Sequence, residues 1–541
     1  MQGKGSSRGN SEPQMKKRKG KGKEAKEGSS EEVLELDVQN LIRNYERRKD
    51  ENDTEQGVEK ADIAPSVIHR GKGEPFPETE VTISDLSSTG EGLALSPAGD
   101  HVYSVPFTVP GDTARVRIYR TQKQQSYSLT DLIEVTSPSP QRDNSLINCK
   151  YFGTCSGCQY QMLPYEDQLR QKKRVIEKAY ANFSGLTPEV IPTIGDTFRS
   201  PLQYGYRTKL TPHFSQSNRT RRKQGSREGS PEIPAIGFLR KGRRQVMDIE
   251  DCPLGTDIVR KGLKIERKHA AENIHKFKSG ATILVRESTR RIPKDQPPQA
   301  ENEETTIRIE RPDYIEEKSY ITDQKGISVE YVEDYQFRNI AGTFFQNNNS
   351  ILPSFIDYVR SNAIPPKSTP ENEQHDNSAL CEPEPRLKYL LDAYCGSGLF
   401  TIALSKTFRS SLGIDVAAGS ITCARENAAL NKLPNTGFAA ADAAALFKEV
   451  PYPPDQTLLV IDPPRKGCDT NFLNQLLACG PVRVLYVSCN VHTQARDVGY
   501  LVQGGQGIRY EIESIRGFDF FPQTSHVESV AVLNKVVDNP L

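Results

Sequence analysis

Residues 389–405 read YLLDAYCGSGLFTIALS: a short apolar run, a turn holding Gly396 and Gly398, and then an amphipathic stretch. Such a run closed by a turn is a buried strand, and the spacing after it is helical. Glycines in a strand-to-helix turn let a ligand approach the backbone and the amino end of the helix. Downstream, SSLGIDVAAGSITCARENAALN repeats the strand-then-helix form and sets Asp415 at the strand tip, 23 residues past Asp392. An acid there is placed to hold ribose hydroxyls. AADAAALF offers Asp442 at a third strand. This alternation predicts a doubly wound α/β domain over residues 337–541.

Two more runs have the same form. LLVIDPPRKG ends an apolar strand in Asp462 and two prolines, and VLYVSCN presents Cys489 at its carboxyl tip. In open sheets of this kind the reactive crevice lies outside those tips. Glu528, in FDFFPQTSHVESVAVL, adds a second carboxylate. One thiol and two carboxylates suit methylation of a pyrimidine on carbon. C5 of the ring is a poor nucleophile until a thiolate adds at C6, and a base must then remove the C5 proton. Without that context Cys489 would be a small buried hydrophobe and Glu528 part of a solvated face.

The rest of the chain sets limits. At 541 residues it has room for about three domains. Lys and Arg number 71 against 70 Asp and Glu, so a nucleic acid would have to be met by local basic patches. No run is long and apolar enough for a membrane span or a signal peptide. Ten cysteines without a secretory signal favour metal or catalytic roles over disulfides. A soluble intracellular monomer is expected, in the nucleus or cytoplasm rather than the mitochondrion, with no protein partner and no membrane.

Residues 1–73 are polar and charged and read as a disordered tail. Within it, Lys16-Lys-Arg-Lys-Gly-Lys-Gly-Lys23 is a basic run that reads as a solvated tail, an import signal or an RNA tether. Val33, Leu34, Val38 and Leu41 have helical spacing, to which no role attaches. Over 74–137, short alternating runs punctuated by Gly, Pro and Asp predict a small β-barrel. A mixed α+β central region follows over 138–336, opening on Cys149, Cys155 and Cys158, with Cys252 far along. Four thiolates are what a tetrahedral zinc or a four-iron, four-sulfur cluster needs, and the spacing alone leaves both open beside unrelated buried cysteines. Residues 164–183 predict an amphipathic helix with Arg170, Lys172, Lys173 and Lys178 mostly off its apolar face. Strands with basic and aromatic residues interleaved, such as Tyr206-Arg-Thr-Lys209, suit a single strand whose bases stack. Three polar insertions, 215–230, 286–312 and 365–385, look unable to pack a core.

Several of these stretches resemble one family. ISDL…GEGLA…VPFTVPGDTARVRI looks like the TRAM domain, an OB-like RNA-binding module, with Arg115, Arg117, Arg120 and Lys123 close by. CKYFGTCSGCQYQMLPYEDQLRQKK resembles the iron–sulfur segment of the uracil-5 RNA methyltransferases, in which the fourth ligand precedes Pro, as Cys252 does. DAYCGSGLF looks like the S-adenosylmethionine (SAM) loop of class I, Rossmann-like methyltransferases, and IDPPRKG is the form found in the uracil-5 enzymes. Cys468 does not stand where the cytosine-5 enzymes keep their second cysteine. The resemblance covers about residues 75–541 and most resembles the fungal-type transfer RNA enzymes. It implies Cys489 as nucleophile, Glu528 as base and Asp462 as the carboxylate that orients uracil. SAM would then be met by Gln346, Tyr394, Gly396, Asp415, Asp442 and Asp462. A [4Fe-4S] cluster, with zinc as the alternative, would be held by Cys149, Cys155, Cys158 and Cys252. The implied substrate is the T-loop uridine of tRNA. Rival readings are the same chemistry on ribosomal RNA, an RNA-folding factor whose methylation is incidental, and a zinc-stabilised RNA-binding protein with a dead site.

Overall fold

The computed structural model describes residues 27–56, 76–215, 233–296, 304–365, 387–441, 447, 450–505 and 507–537. Its first element corrects an expectation. Helix α1 (Ser30–Gln56) stands inside the stretch read as a disordered tail. Ser29 Oγ accepts from Glu32 N at 3.4 Å, and the Glu32 carboxylate accepts from Gly28 N at 2.6 Å, a capping box written S-S-E-E. Leu34 and Val38 pack with Leu93, Val102 and Tyr127. The helical spacing was visible in the sequence, but the surface it covers lies far along the chain.

That surface belongs to a six-stranded sheet: β1 (Glu78–Thr82), β2 (Asp85–Leu86), β3 (Gly92–Leu95), β4 (Val102–Val105), β5 (Thr113–Gln122) and β6 (Tyr127–Ser137). Their order is β1-β5-β6-β4-β3-β2, around Val81, Ile83, Ala94, Val105, Ala114 and Val116. Two of the arginines singled out there are spoken for, since Arg115 and Arg117 both pair with Glu78.

Helix α2 (Tyr165–Phe183) and strand β7 (Gly195–Phe198) come next. The central sheet then has the order β12-β13-β11-β8, from β8 (Lys209–Leu210), β11 (Val285–Pro293), β12 (Thr306–Glu310) and β13 (Tyr314–Ile321). Beside it β9 (His213–Ser215) pairs with β10 (Gly280–Thr282), and helix α3 (Asp257–Glu272) covers the sheet with Ile258, Val259 and Leu263. Within 286–312, the residues up to Pro293 and Thr306–Glu310 are therefore strand, against the expectation of an insertion without structure. Cross-strand charge pairs replace an apolar face there: the Glu317 carboxylate takes both Arg290 and Arg308. A hairpin of β14 (Ile327–Val332) and β15 (Tyr335–Ile340) leads into helix α4 (Leu352–Ala363).

The large sheet holds β16 (Tyr389–Ala393), β17 (Ser410–Asp415), β18 (Thr436–Ala440), β19 (Thr457–Ile461), β20 (Arg483–Ser488), β21 (Ile508–Phe518) and β22 (Glu528–Val537). Its order is β18-β17-β16-β19-β20-β22-β21-β7, parallel from β18 to β20, with β22 antiparallel to both neighbours. Alternate residues of one strand serve opposite faces. Leu458 and Val460 join Phe355 and Ile402, whereas Leu459 and Ile461 join Tyr486 and Phe472. Helices α5 (Leu399–Ala403), α6 (Ala418–Leu430), α7 (Thr470–Cys479) and α8 (Val491–Gln503) complete the layers. The eighth strand, β7, comes from the region read as central, and α2 packs into the same core through Val175, Ile176, Ala179 and Tyr180. The large sheet thus borrows a helix and a strand from upstream. Among the described residues no helix is long and apolar enough to cross a membrane.

Candidate active site

Four neighbouring strands, β16, β19, β20 and β22, deliver their ends to one crevice. Ser488 pairs with Ser529 across β20 and β22, so Cys489, the next residue, stands beside Glu528. Asp462 directly follows β19, whose Ile461 pairs with Tyr486. The sheet thereby brings together the three residues that the sequence named as the reacting set.

Burial dominates their electrostatics. Glu528 is 1% exposed and its Oε1 has no hydrogen-bond partner among the described residues. Its carboxyl is held well above the usual range, first by burial and then by Asp462. Burial also raises Asp462 to about 7, with Asp392 adding to the effect. The Cys489 thiol is pushed up to about 12 by burial, then by Glu528 and Asp462, while Arg465 opposes the rise.

Helix α8 fixes the loop that carries Asp462. Asn490 Nδ2 donates to the Arg465 carbonyl at 2.8 Å, and Arg496 Nη2 donates to the Lys466 and Cys468 carbonyls at 3.2 and 3.1 Å. Asp497 Oδ2 accepts from Cys468 N at 2.7 Å and from the buried Tyr486 hydroxyl at 2.5 Å. Gly467 is required here. Its φ is +73°, and a Cβ would meet Asp497 Oδ2 at 2.6 Å and Arg496 Nη2 at 2.7 Å.

The turn after β16 is left-handed at Tyr394 (φ 64°), Gly396 (φ 54°) and Gly398 (φ 91°). A Cβ on Gly396 would meet nothing within 4 Å, so that side of the turn is open. Asp415 shapes it, with Oδ2 accepting from Gly396 N at 3.0 Å and Oδ1 from Ala417 N at 2.8 Å. Val416, 71% exposed, stands next to that carboxylate as an apolar platform that the sequence reading passed over. Asp392 Oδ2 accepts from Thr401 N and Oγ1 at 2.9 and 2.6 Å, and burial raises its carboxyl to about 7. Gln346 is buried. Its neighbour Asn348 is structural, donating to Ser200 Oγ and to the Phe520 carbonyl at 3.0 and 3.2 Å. Asp442 lies outside the described residues. A turn with an open face, a carboxylate at the next strand tip and an exposed apolar side chain beside it fit the adenosyl part of SAM.

The segment carrying Glu528 is clamped by α2. Lys172, read as a surface residue, is wholly buried and bonds both the Asp519 carboxylate and the Phe521 carbonyl. Tyr165 donates to Asp519 Oδ2 at 2.9 Å. Gln168 and Gln523 bond each other twice, and Gln159 N and Tyr160 N both donate to the Gln523 carbonyl. These partners were invisible in the sequence because they are more than 340 residues apart.

Cys149, Cys155, Cys158 and Cys252 all line one cavity of about 450 Å³. Burial pushes the Cys252 thiol up to about 11, and the neighbouring cysteines add to the rise. The donor set is the expected one, but its geometry is not that of a closed metal site. Among the described residues no group of three or more His, Cys, Asp or Glu side chains is gathered closely enough to hold a metal ion. Arg465 and His526 line both this cavity and the cavity of about 360 Å³ at Cys489.

Comparison with known proteins decides the family. Residues 379–450 and 454–536 match the family model described as tRNA (Uracil-5-)-methyltransferase. The tRNA (uracil(54)-C(5))-methyltransferase of Schizosaccharomyces pombe is 43% identical over 97% of this chain and 86% of its own length. The chain belongs to the tRNA (uracil-5-)-methyltransferase family. A second member of the family, the tRNA (uracil(54)-C(5))-methyltransferase of Saccharomyces cerevisiae, is 37% identical over 96% of this chain and 83% of its own length. The crystal structure of the Pyrococcus abyssi tRNA (uracil-54, C5)-methyltransferase, in complex with S-adenosyl-L-homocysteine, has the same fold. It aligns with a TM-score of 0.55 at 20% identity, covering 84% of this chain and all of that one.

Proposed function

We propose that this family member transfers the methyl group of SAM to C5 of uridine 54 in tRNA, with Cys489 as nucleophile, Glu528 as base and Asp462 orienting the ring. The observation that carries this reading is the meeting of Cys489, Glu528 and Asp462 at adjoining strand tips. SAM, when bound, supplies an electrophilic methyl group. Gly396, Tyr394 and Asp415 would seat it, with Val416 against the adenine, Gln346 at the site and Asp442 at the third strand.

The chain's own residues do the rest. Cys489 gives up its proton to solvent water and its sulfur bonds C6 of the uracil, leaving the ring as an enolate that is nucleophilic at C5. Arg465, beside the thiol, favours the thiolate that burial and two carboxyls oppose. Once C5 carries the methyl group, an ionised Glu528 takes the C5 proton and the sulfur leaves, restoring the aromatic ring. Asp462 accepts from the ring N3–H when ionised and donates to a ring carbonyl when protonated. A base in a folded loop must leave its stack to reach this crevice.

The four cysteines are proposed as the ligands of a [4Fe-4S] cluster or a zinc ion, supported by the single cavity they share. Iron, sulfide and zinc analysis of protein purified without oxygen tests that. For the reaction itself, labelled SAM is incubated with unmodified tRNA and, separately, with ribosomal RNA fragments. The expected product is 5-methyluridine in the tRNA T-loop, absent with Cys489→Ala. Label in ribosomal RNA alone would overturn the substrate, and methylcytidine would overturn the chemistry.

A further inference from the structure

The loop that carries Arg465 is held by one face of α8, and that face is itself held from outside. Asn490, Thr493 and Arg496 are spaced three apart and so lie on one side of the helix. Asn490 Nδ2 and Thr493 Oγ1 both donate to the Arg465 carbonyl, at 2.8 and 3.3 Å, and Arg496 takes the carbonyls of Lys466 and Cys468. All three also meet the two residues ahead of the α1 cap. Asn490 Nδ2 donates to the Gly28 carbonyl at 3.2 Å, and Arg496 Nη1 pairs with Glu27 Oε2 at 3.1 Å. Gly28, with a φ of +66°, lies so close to Thr493 that a Cβ on it would stand 2.4 Å from Cγ2.

The seating of α1 does not require these contacts. Asp37, 3% exposed, accepts from Ser88 N at 2.6 Å, and Asn40 Nδ2 donates to Asn182 Oδ1 at 2.7 Å. Leu34 and Val38 are buried against the six-stranded sheet. Gly28 is fixed to that seated helix, because its N–H donates to the Glu32 carboxylate at 2.6 Å while its carbonyl faces Asn490. One glycine thus joins an anchored helix to the residue next to the nucleophile. With Glu27, Ser29, Ser30 and Val33 it also lines the cavity of Cys489. The link reaches Arg465 through Asn490, and the Arg465 side chain is hydrogen-bonded to the Cys489 thiol.

We propose that Gly28 is a positioning residue of the active site: its carbonyl orients Asn490, which sets the loop of Arg465 against Cys489. The inference rests on the reading of Cys489 as the nucleophile of RNA methylation. A misplacement of about 1 Å near reacting groups can cost up to about a hundredfold in rate. The turn at Gly396 and the carboxylate of Asp415 stand on other strands and do not touch Gly28. The role of Gly28 is therefore in turnover and not in the affinity for SAM.

The test is Gly28→Ala in the full chain, whose added methyl group must push the cap away from Thr493. Its partner is Gly28→Ala with Thr493→Ser, which removes Cγ2 and keeps the hydroxyl. With SAM and an unmodified tRNA transcript, Gly28→Ala should lose about tenfold in kcat. Its Kd for SAM should be unchanged and its melting temperature within about 3 °C of the unaltered protein. The double variant should regain the kcat of Thr493→Ser alone. Hydrogen exchange at Gly467 N and Cys468 N, which bond the Pro464 carbonyl and Asp497, should be about threefold faster in Gly28→Ala and normal in the double variant. Glu32→Ala removes the acceptor of Gly28 N without adding bulk, and it carries the same measurements should Gly28→Ala not fold. Unchanged kcat, unchanged exchange, a loss confined to SAM affinity, or a double variant no better than Gly28→Ala would each overturn the proposal. Absence of 5-methyluridine with the unaltered protein would instead sink the methylation reading, and the exchange rates would still judge the link between Gly28 and the loop.

Discussion

Gln168 of α2 and Gln523 of the loop before β22 bond each other twice, side chain to side chain at 3.1 Å and Gln523 N to Gln168 Oε1 at 3.1 Å. One turn further along α2, Lys172 forms a buried ion pair with Asp519 of the same loop. Residues i and i+4 of a helix share a face, so a single face of α2 grips both ends of the segment that aims Glu528.

Breaking the ion pair separates support from chemistry. Lys172→Met leaves Asp519 charged, buried and unpaired, which costs about 3–5 kcal/mol. Pairing it with Asp519→Leu should restore most of the melting temperature, because two apolar side chains can replace a buried pair. The loop would then lack its anchor, so kcat should stay at least tenfold below the unaltered protein while SAM binding is kept. Thermal melts and steady-state kinetics of both variants check this.

The Gly396 turn offers a test of the cofactor cradle. A methyl group there meets no atom within 4 Å, so Gly396→Ala costs only the strain of a positive φ, about 1 kcal/mol. The protein should fold, with Kd for SAM raised about tenfold or more by calorimetry and RNA binding unaltered. Unchanged SAM affinity would move the cofactor away from this turn.

Asp392 makes stability depend on pH. Its carboxyl keeps its proton to about 7 when folded and to 3.8 otherwise, so between those values the folded state binds more protons. Stability therefore falls as pH rises through that window, by about 1.4 kcal/mol per pH unit for a single group. Asp392→Asn, which preserves an acceptor for Thr401, should flatten the fall and leave the variant the more stable of the two at pH 8. Urea unfolding from pH 4.5 to 8 reads the difference.

The Cys489 thiol, pushed up to about 12, should react slowly with alkylating reagents at neutral pH. The thiolate is the reactive form, so the rate should climb about tenfold per pH unit from 7 to 10 without levelling. Peptide mass spectrometry after timed iodoacetamide treatment follows this one cysteine. A plateau near pH 8 would mean that the free protein already holds a thiolate.

The catalytic layer was legible because each strand announces itself locally: an apolar run, then Asp415, Asp462 or Cys489 at the tip. What stayed hidden depended on pairing at long range. Lys172 looks like any surface lysine until Asp519 is beside it. The run 286–312 looks unstructured until Glu317 meets Arg290 and Arg308. Helix α1 had its spacing and its capping box in plain view, yet nothing local revealed the face of the six-stranded sheet or the cavity wall it serves. The four cysteines were legible as a set, and they do share a cavity, but chain pattern alone does not draw their sulfurs together.

The central claim, a covalent bond between Cys489 and C6 of the uridine, is tested most directly by trapping it. Glu528→Gln removes the base but leaves the nucleophile, so addition and methyl transfer should proceed and elimination should stall. Incubated with unmodified tRNA and SAM, that variant should yield a denaturant-resistant RNA adduct. After digestion, the Cys489 peptide should carry one methylated uridine nucleotide. An adduct mapped to Cys468, or rapid release of 5-methyluridine with no adduct at all, would contradict the account.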